Sequence, residues 1–401
     1  MKNINVLLLE NIHANAAAIY RNQGIPVRMI DASLDEEELC QQIKGVSILG
    51  IRSKTRITRK VLDCADQLLA IGAYCIGTQQ IDIKACTERG IVIFNAPYSN
   101  TRSVVELVLG EIIMLIRGIF DKSAKLHQGI WDKSAKGTYE IRGKRLGIVG
   151  YGNIGAQLSV LAEAVGMQVY YYDLEEKLAL GNARKCDSFD ELLSMVDVVT
   201  IHVDDRPENR QLVGRREFEL MKDGVVFLNL SRGFVVDMKA LVEYIKKGKI
   251  RGAAVDVFPE EPKRNSEPFR TELQQLPNVI LTPHIGGSTE EAQQNIADFV
   301  TGRLLDFVFN GGTTLSVNFP NLQLPEIKDA HRLIHLHHNV PGILAKINNI
   351  LAANSINIVG QYLKTNELIG YVITDISREY GPEVITEISN IPGTIHVRIV
   401  Y

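Results

Sequence analysis

The chain has 401 residues, enough for two or three domains with large buried cores. Its net charge of −3 supplies no strong field for nucleic acid or an anionic membrane. With 45% hydrophobic and 23% charged residues, the composition is globular rather than disordered. The five cysteines (40, 64, 75, 86 and 186) show no C-x-x-C spacing, so neither a disulfide framework nor a zinc ribbon is expected, and a reducing cytoplasm fits. The first apolar run ends at Glu10, too short for a signal sequence. Val104–Ile116, the longest greasy stretch, carries Glu106 and Glu111 and falls short of the ~20 residues that span a bilayer.

In chain order, Val6–Leu9, Ile48–Ile51, Leu68–Ile71 and Val92–Phe94 read as buried strands separated by helix-length or turn-rich segments. Capping-box spacing from Ser103 to Glu106 predicts a helix that starts there and runs to about Arg117. A second strand set follows at Arg145–Val149, Gln168–Asp173, Val196–His202, Val225–Asn229, Ala253–Val257 and Val279–Leu281. This alternation predicts an α/β protein with two doubly wound parallel sheets of Rossmann or flavodoxin type. Asn310–Thr314 and the stretch from Asn318 to Glu326 break the rhythm and read as a linker. Beyond it, strand Leu333–His337, a helix from Pro341 to about Ala353, strands Ile356–Leu363 and Leu368–Ile376, helix Pro382–Asn390 and strand Thr394–Tyr401 give the order βαββαβ. That order belongs to a small ferredoxin-like unit.

Strand Arg145–Val149 runs directly into Gly150-Tyr-Gly152-Asn-Ile-Gly155 and then into a helical stretch. Alone, G-x-G-x-x-G is a weak signal; with a strand before it and a helix after it, the signal is specific for a dinucleotide. Gly150 makes the tight turn, Gly152 lets the backbone approach a pyrophosphate, and Gly155 lets helix and strand pack closely. The helix N-terminus then offers free N–H groups to the phosphates. Asp173 ends the next strand and suits the adenosine ribose, while its charge opposes a 2′-phosphate. Leu174, Glu175 and Glu176 follow it with no arginine, so NAD is favoured over NADP.

Three further segments fall at later strand ends, the edge of an open α/β sheet where ligands bind. They are Asn229–Gly233, Asp256–Pro262 and Thr282–Gly287. Oxidising a 2-hydroxy acid needs a base for the hydroxyl proton, a cation for the carboxylate and a hydride acceptor. His284 can be the base. Glu261 can orient its imidazole and stabilise the imidazolium, and Arg232 offers a rigid fork to the carboxylate. Singly, each of these residues is more often structural; their joint occurrence after a nucleotide motif is what points to catalysis.

The segments Gly147–Gly155, Ser231–Gly233, Asp256–Pro262 and Thr282–Ser288 together resemble the D-2-hydroxyacid dehydrogenase family. The likeness covers essentially the whole chain, and the C-terminal unit resembles an ACT regulatory domain. The resemblance implies an NAD-dependent oxidoreductase and, in the ACT-bearing branch, oxidation of 3-phospho-D-glycerate to 3-phosphooxypyruvate at the head of L-serine biosynthesis. Another D-2-hydroxy acid, such as 2-hydroxyglutarate, and an NAD(H)-sensing interaction module stay open as alternatives. By the same resemblance Arg232, Glu261 and His284 are the catalytic set, Glu261 rather than Glu260 because the family's glutamate directly precedes the proline. Asn153, Ile154, Asp173, Leu230, Ser231, Arg232, Asp256, His284, Ile285, Gly286 and Gly287 would contact NAD beside the motif glycines. The implied domains are discontinuous: 1–99 with 287–328 for substrate, 100–286 for NAD, and 329–401 as the ACT domain, with the active site in a closing cleft. Arg52, Ser53 and Asn100 are the candidates for holding the phosphorylated substrate. One departure is His202-Val-Asp204, where relatives often carry His-x-Pro.

His331, His335, His337 and His338 crowd into eight residues, but no cysteine or carboxylate stands at ligand spacing among them, so no metal site is expected. The turn from His337 to Gly342 resembles the first strand–helix turn of amino-acid-binding ACT domains. His337, Asn339 and Asn357 are therefore expected to bind L-serine between two ACT domains. Pairing through both the nucleotide and ACT domains would give a homotetramer.

Overall fold

The computed structural model describes residues 4–262, 266–325, 327, 330–377 and 380–400. Contacts divide the chain into two units, Met1–Ser99 with Gln293–Tyr401 and Asn100–Ala292. The return to the first unit thus falls a few residues beyond position 287.

The first unit opens with β1 (Val6–Leu9), α1 (Ala14–Asn22), β2 (Val27–Ile30), α2 (Glu36–Gln42), β3 (Ile48–Ile51), α3 (Arg59–Cys64), β4 (Ala70–Ala73), α4 (Ile83–Glu88) and β5 (Val92–Phe94). Its strands form a parallel sheet in the order β2-β1-β3-β4-β5. β1 and β3 to β5 are buried on both faces, as expected for short all-apolar runs in a parallel sheet. Strand β2 lacks such an apolar run because it is a half-exposed edge strand that follows Pro26 and carries Arg28.

The second unit begins with α5 (Thr101–Arg117) and α6 (Ile119–His127). Asn100 is the N-cap of α5, three residues before the Ser103 cap that the expected box required; Ser103 Oγ instead bonds Thr289 and Glu106 pairs with Arg102. The unit continues with β6 (Arg145–Val149), α7 (Asn153–Ala164), β7 (Gln168–Tyr172), β8 (Arg184–Lys185), α8 (Phe189–Met195), β9 (Val198–Ile201), α9 (Arg215–Leu220), β10 (Val225–Asn229), α10 (Met238–Lys246), β11 (Ile250–Val255) and β12 (Val279–Leu281). Its parallel sheet runs β12-β11-β10-β9-β6-β7-β8. The strand order reverses between β6 and β9, the crevice where such sheets bind ligands. Strand β11 begins and ends earlier than expected, which leaves Asp256 just past its carboxyl end.

Helix α11 (Glu290–Asn310) leads back into the first unit, where Ile296, Ala297, Val300 and Leu304 join the core around β1, β3 and β5. The expected linker is packed rather than free. Ser316 bridges Phe94, Val317 N–H donates to the Ile93 carbonyl at 2.8 Å, and Asn318 bonds the backbone of Ile91 and Ile93. Phe319 is buried in the same core. Glu326, the end of that stretch, lies outside the described residues, as does Tyr401 at the end of the last expected strand.

The C-terminal module comprises β13 (His331–His338), α12 (Ile343–Ala353), β14 (Ile358–Thr365), β15 (Ile369–Ile376), α13 (Pro382–Ser389) and β16 (Thr394–Ile399). Its antiparallel sheet has the order β14-β15-β13-β16, the βαββαβ arrangement expected. Alternation sorts the strands' faces. Leu333, Val372 and Ile376 meet both helices in one cluster, while Ile334, Leu336, Ile369, Tyr371 and Ile373 join Leu304, Phe307 and Phe319 in the first unit's core. Arg332 and Asp375, on neighbouring strands, form an ion pair with side chains 0% exposed. Among the described residues no helix is long and apolar enough to cross a membrane.

Candidate active site in the second unit

The glycine loop follows β6 and opens α7. Gly150 has φ +91°, and a Cβ there would sit 2.5 Å from the His202 carbonyl oxygen. A Cβ on Gly155 would meet the Gly150 carbonyl oxygen at 2.3 Å. Both positions therefore require glycine. Gly152, the N-cap of α7, has open space around its would-be Cβ and makes no side-chain cap bond. The first turn of α7, with Asn153 and Ile154, thus leaves room and N–H donors for a pyrophosphate. Asp173 stands just past β7, its carboxylate accepting from the N–H groups of Tyr151 at 2.7 Å and Glu175 at 2.9 Å. These residues fit a dinucleotide: a cradle at Gly152, donors behind it and an acceptor at the next strand end.

The departure at Asp204 is locally satisfied. Its carboxylate takes a bidentate pair from Arg206 and a bond from Asn209. His202 beside it is half-buried, and desolvation holds its imidazole down at about 3, so it is neutral.

The ends of β10, β11 and β12 carry the remaining groups. After β10, Asn229 Oδ1 accepts from the N–H and Oγ of Ser231, and its amide donates to the Arg232 carbonyl at 3.0 Å, fixing the Leu230–Arg232 turn. Past β11, Asp256 accepts from Thr282 Oγ1 at 2.6 Å and from the N–H groups of Ile285 and Gly286 at 2.8 and 2.9 Å. Burial raises its carboxyl despite those donors. Asp256 therefore holds the loop that presents His284, a role the sequence motif did not reveal. Gly287 packs closely against Asn100.

His284 Nδ1 lies 2.8 Å from Glu261 Oε2, and Glu261 Oε1 accepts from Phe258 N–H at 3.0 Å. The Glu261 bond raises His284 against its desolvation. Burial pushes Glu261 upward, but its bonds to His284 and Phe258 outweigh that and leave it lowered. A carboxylate only accepts, so Nδ1 carries the proton and Nε2 is left with its lone pair. Arg232, half-buried, is near enough to lower both groups. Arg232, Glu261 and His284 thus come together, whereas Glu260 is absent from these bonds. The site can hold an anion, accept a proton at Nε2 and stabilise the resulting imidazolium.

Arg52 and Ser53 follow β3 in the first unit. Glu10 orders their loop by accepting from the N–H groups of Arg52, Lys54 and Thr55, and Gln80 bonds the Arg52 carbonyl at 2.6 Å. Glu10 was missed, although its position directly after β1 is the signal that could have found it.

In the C-terminal module, His337 Nδ1 bonds the His338 carbonyl and Asn339 Nδ2 bonds the Asn366 carbonyl, both at 2.8 Å. His337 pairs with Gly370 on β15, whereas Ile358, next to Asn357, pairs with Ile376. Six residues of strand at about 3.3 Å each put Asn357 roughly 20 Å from His337 along the sheet. One chain does not bring the three together.

Glu111, on the inward face of α5, is 2% exposed, and neither of its carboxyl oxygens has a hydrogen-bond partner among the described residues. Burial, with Asp256 adding to it, pushes this carboxyl to about 8. The unfolded chain releases the proton near the ordinary value of 4.5, so between the two values the folded state holds one proton more and stability falls as pH rises. Glu111→Leu should stabilise the fold by about 2–4 kcal/mol at pH 8 and by clearly less at pH 5. Urea unfolding at both pH values reads this, and a gain independent of pH would mean that the carboxyl titrates normally.

The fold and site define a Rossmann-type oxidoreductase module. The profile of the D-isomer specific 2-hydroxyacid dehydrogenase NAD binding domain matches residues 109–286, and an AHAS small subunit-like ACT domain matches 333–396. The chain belongs to the D-isomer specific 2-hydroxyacid dehydrogenase family, and its second unit carries that family's NAD binding domain. It is similar to the D-3-phosphoglycerate dehydrogenases of Haemophilus influenzae, at 47% identity over 99% of this chain and 97% of that one, and of Escherichia coli strain K12, at 46% over 99% and 98%. Among solved structures it is similar to a D-lactate dehydrogenase of Aquifex aeolicus complexed with NAD and lactic acid. That likeness has a TM-score of 0.65 and 25% identity, and covers 76% of this chain and 95% of the other.

Proposed function

We propose that this enzyme oxidises 3-phospho-D-glycerate to 3-phosphooxypyruvate, reversibly, as the first step of L-serine biosynthesis. The observation that carries the reading is the His284–Glu261 pair beside Arg232, in a chain of full-length likeness to D-3-phosphoglycerate dehydrogenases. Bound NAD supplies the hydride acceptor. Asn153 and Ile154 at the α7 N-terminus, with Asp173, hold it, and the Leu230–Arg232 and His284–Gly287 loops border it. Arg232 clamps the substrate carboxylate and orients the α-carbon. His284 takes the hydroxyl proton at Nε2 while Glu261 stabilises the imidazolium. NAD reduction with 3-phospho-D-glycerate should exceed that with D-2-hydroxyglutarate and D-lactate in kcat/KM; preference for either of those acids would replace the substrate.

Arg52, Ser53 and Asn100 are assigned to the phosphorylated substrate. The division of labour follows: residues 1–99 and 287–328 for substrate, 100–286 for NAD and 329–401 for regulation. The Glu10-ordered loop supports the assignment. Arg52→Ala should raise KM for 3-phospho-D-glycerate about 10–100-fold, as loss of a charge-assisted contact does, with NADH affinity unchanged. An unchanged KM removes Arg52 from the site.

The ACT domain is assigned to L-serine, bound by His337 and Asn339 of one chain and Asn357 of a second. The distance between them within one chain favours such a shared site, which a two-fold pairing of ACT domains would create twice. With pairing through the nucleotide domains as well, the assembly is a homotetramer. Asn339→Ala should shift the serine concentration for half-inhibition upward at least about tenfold, the size of a typical coupling or contact loss. Parental sensitivity in that variant would dismiss the site. A cytoplasmic location completes the reading, supported by the five free cysteines.

A further inference from the structure

The five thiols are unequal. Cys86 and Cys186 are buried, and Cys75 bonds the Gly77 carbonyl at 3.2 Å. Cys40 on α2 and Cys64 at the end of α3 are both half-buried on adjoining helices. Cys40 Sγ lies 3.6 Å from the Lys60 carbonyl oxygen. That carbonyl is one helical turn before Cys64, and helical side chains lean back over the preceding turn, so the Cys64 thiol overlies the same spot. Both sulfurs pack on one apolar cluster beneath the two helices. Burial first, and then a hydrogen bond that the Cys40 S–H donates to Cys64, push the Cys40 thiol to about 11. The helices are held in place without the thiols, since Glu36 bonds Thr58 Oγ1 and pairs with Lys60 at 3.1 Å.

We propose that Cys40 and Cys64 are a reversible dithiol–disulfide pair, closed by exchange with a small disulfide. Cys64 thiolate attacks one sulfur of the small disulfide, breaking its S–S bond, forming a mixed disulfide and releasing one small thiolate. Cys40 thiolate then attacks Cys64 Sγ in that mixed disulfide, forming the protein bond and releasing the second small thiolate. The protein gives up two electrons and two protons, and the small disulfide is reduced to two thiols. The raised Cys40 thiol is the poorer first nucleophile, which assigns the opening attack to Cys64. Proximity then compensates for its low thiolate fraction in the closing step. The ring so closed contains β3 and the Arg52–Thr55 loop.

The test is incubation of the full chain with oxidised glutathione at pH 8, alkylation of remaining thiols and peptide mapping without reductant. The expected product is a peptide pair joined through Cys40 and Cys64, with the intact mass lower by about 2 Da and restored by dithiothreitol. Cys40→Ser, which lacks the resolving thiol, should instead accumulate glutathione at Cys64. Oxidised parent in which both cysteines are alkylated, both carry glutathione, or either is joined to another cysteine would overturn the pairing.

Discussion

His284→Asn should lower turnover by about 10²–10⁴-fold, the contribution of a positioned general base, while NADH binding is retained. Asparagine is the variant of choice because His284 has φ +55°, a left-handed conformation that Asn tolerates better than most residues. Stopped-flow turnover beside NADH fluorescence titration separates chemistry from binding, and a near-normal rate would dismiss His284 as the base. The partner residue adds a pH signature. Oxidation needs neutral His284, and its bond to Glu261 raises the imidazole, so activity falls on the acid side as His284 gains its proton. Glu261→Gln removes the bond that raises it, and the acid limb should move to lower pH while the rate drops.

Arg332→Met should destabilise the C-terminal module by about 3–5 kcal/mol, because it leaves the Asp375 carboxylate buried without its cation. The guanidinium bonds Asp375 at 2.7 and 2.8 Å, and also donates to the carbonyls of Asn310 at 3.1 Å and Pro325 at 2.7 Å. It thus links two strands of the antiparallel sheet to the end of α11 and to the following segment. Replacing both partners by apolar residues should recover much of the loss, since the unpaired charge is then gone. Denaturant unfolding of the single and double variants reads both effects. A single variant as stable as the parent would show that the pair contributes nothing net.

Legibility in the sequence followed the physics of each element. Strands such as β1, β3 and β10 were readable because burial on both faces writes them as unbroken apolar runs. The half-exposed β2 and the two-residue β8 carry no such run. The packed segment around Asn318 looked like a linker because its order comes from side chains completing the backbone of β5, a long-range pairing with no local period. The glycine motif and the His284 set could be read because each residue type is demanded by its chemistry. Glu10, Asn229 and Asp256 serve by holding loops, and an acidic or amide residue at a strand end does not announce which backbone it will bind. Glu111 was visible as an acid among the apolar positions of α5, yet only the fold shows that its oxygens are left without partners among the described residues.

The most direct measurement is NADH consumption with 3-phosphooxypyruvate, run with and without L-serine on the 401-residue chain. Turnover suppressed by serine is the predicted result, joining substrate, cofactor and ACT domain in one experiment. NADH bound without any turnover of 3-phosphooxypyruvate would contradict the assignment and point to another 2-oxo acid or to an NAD(H)-sensing module.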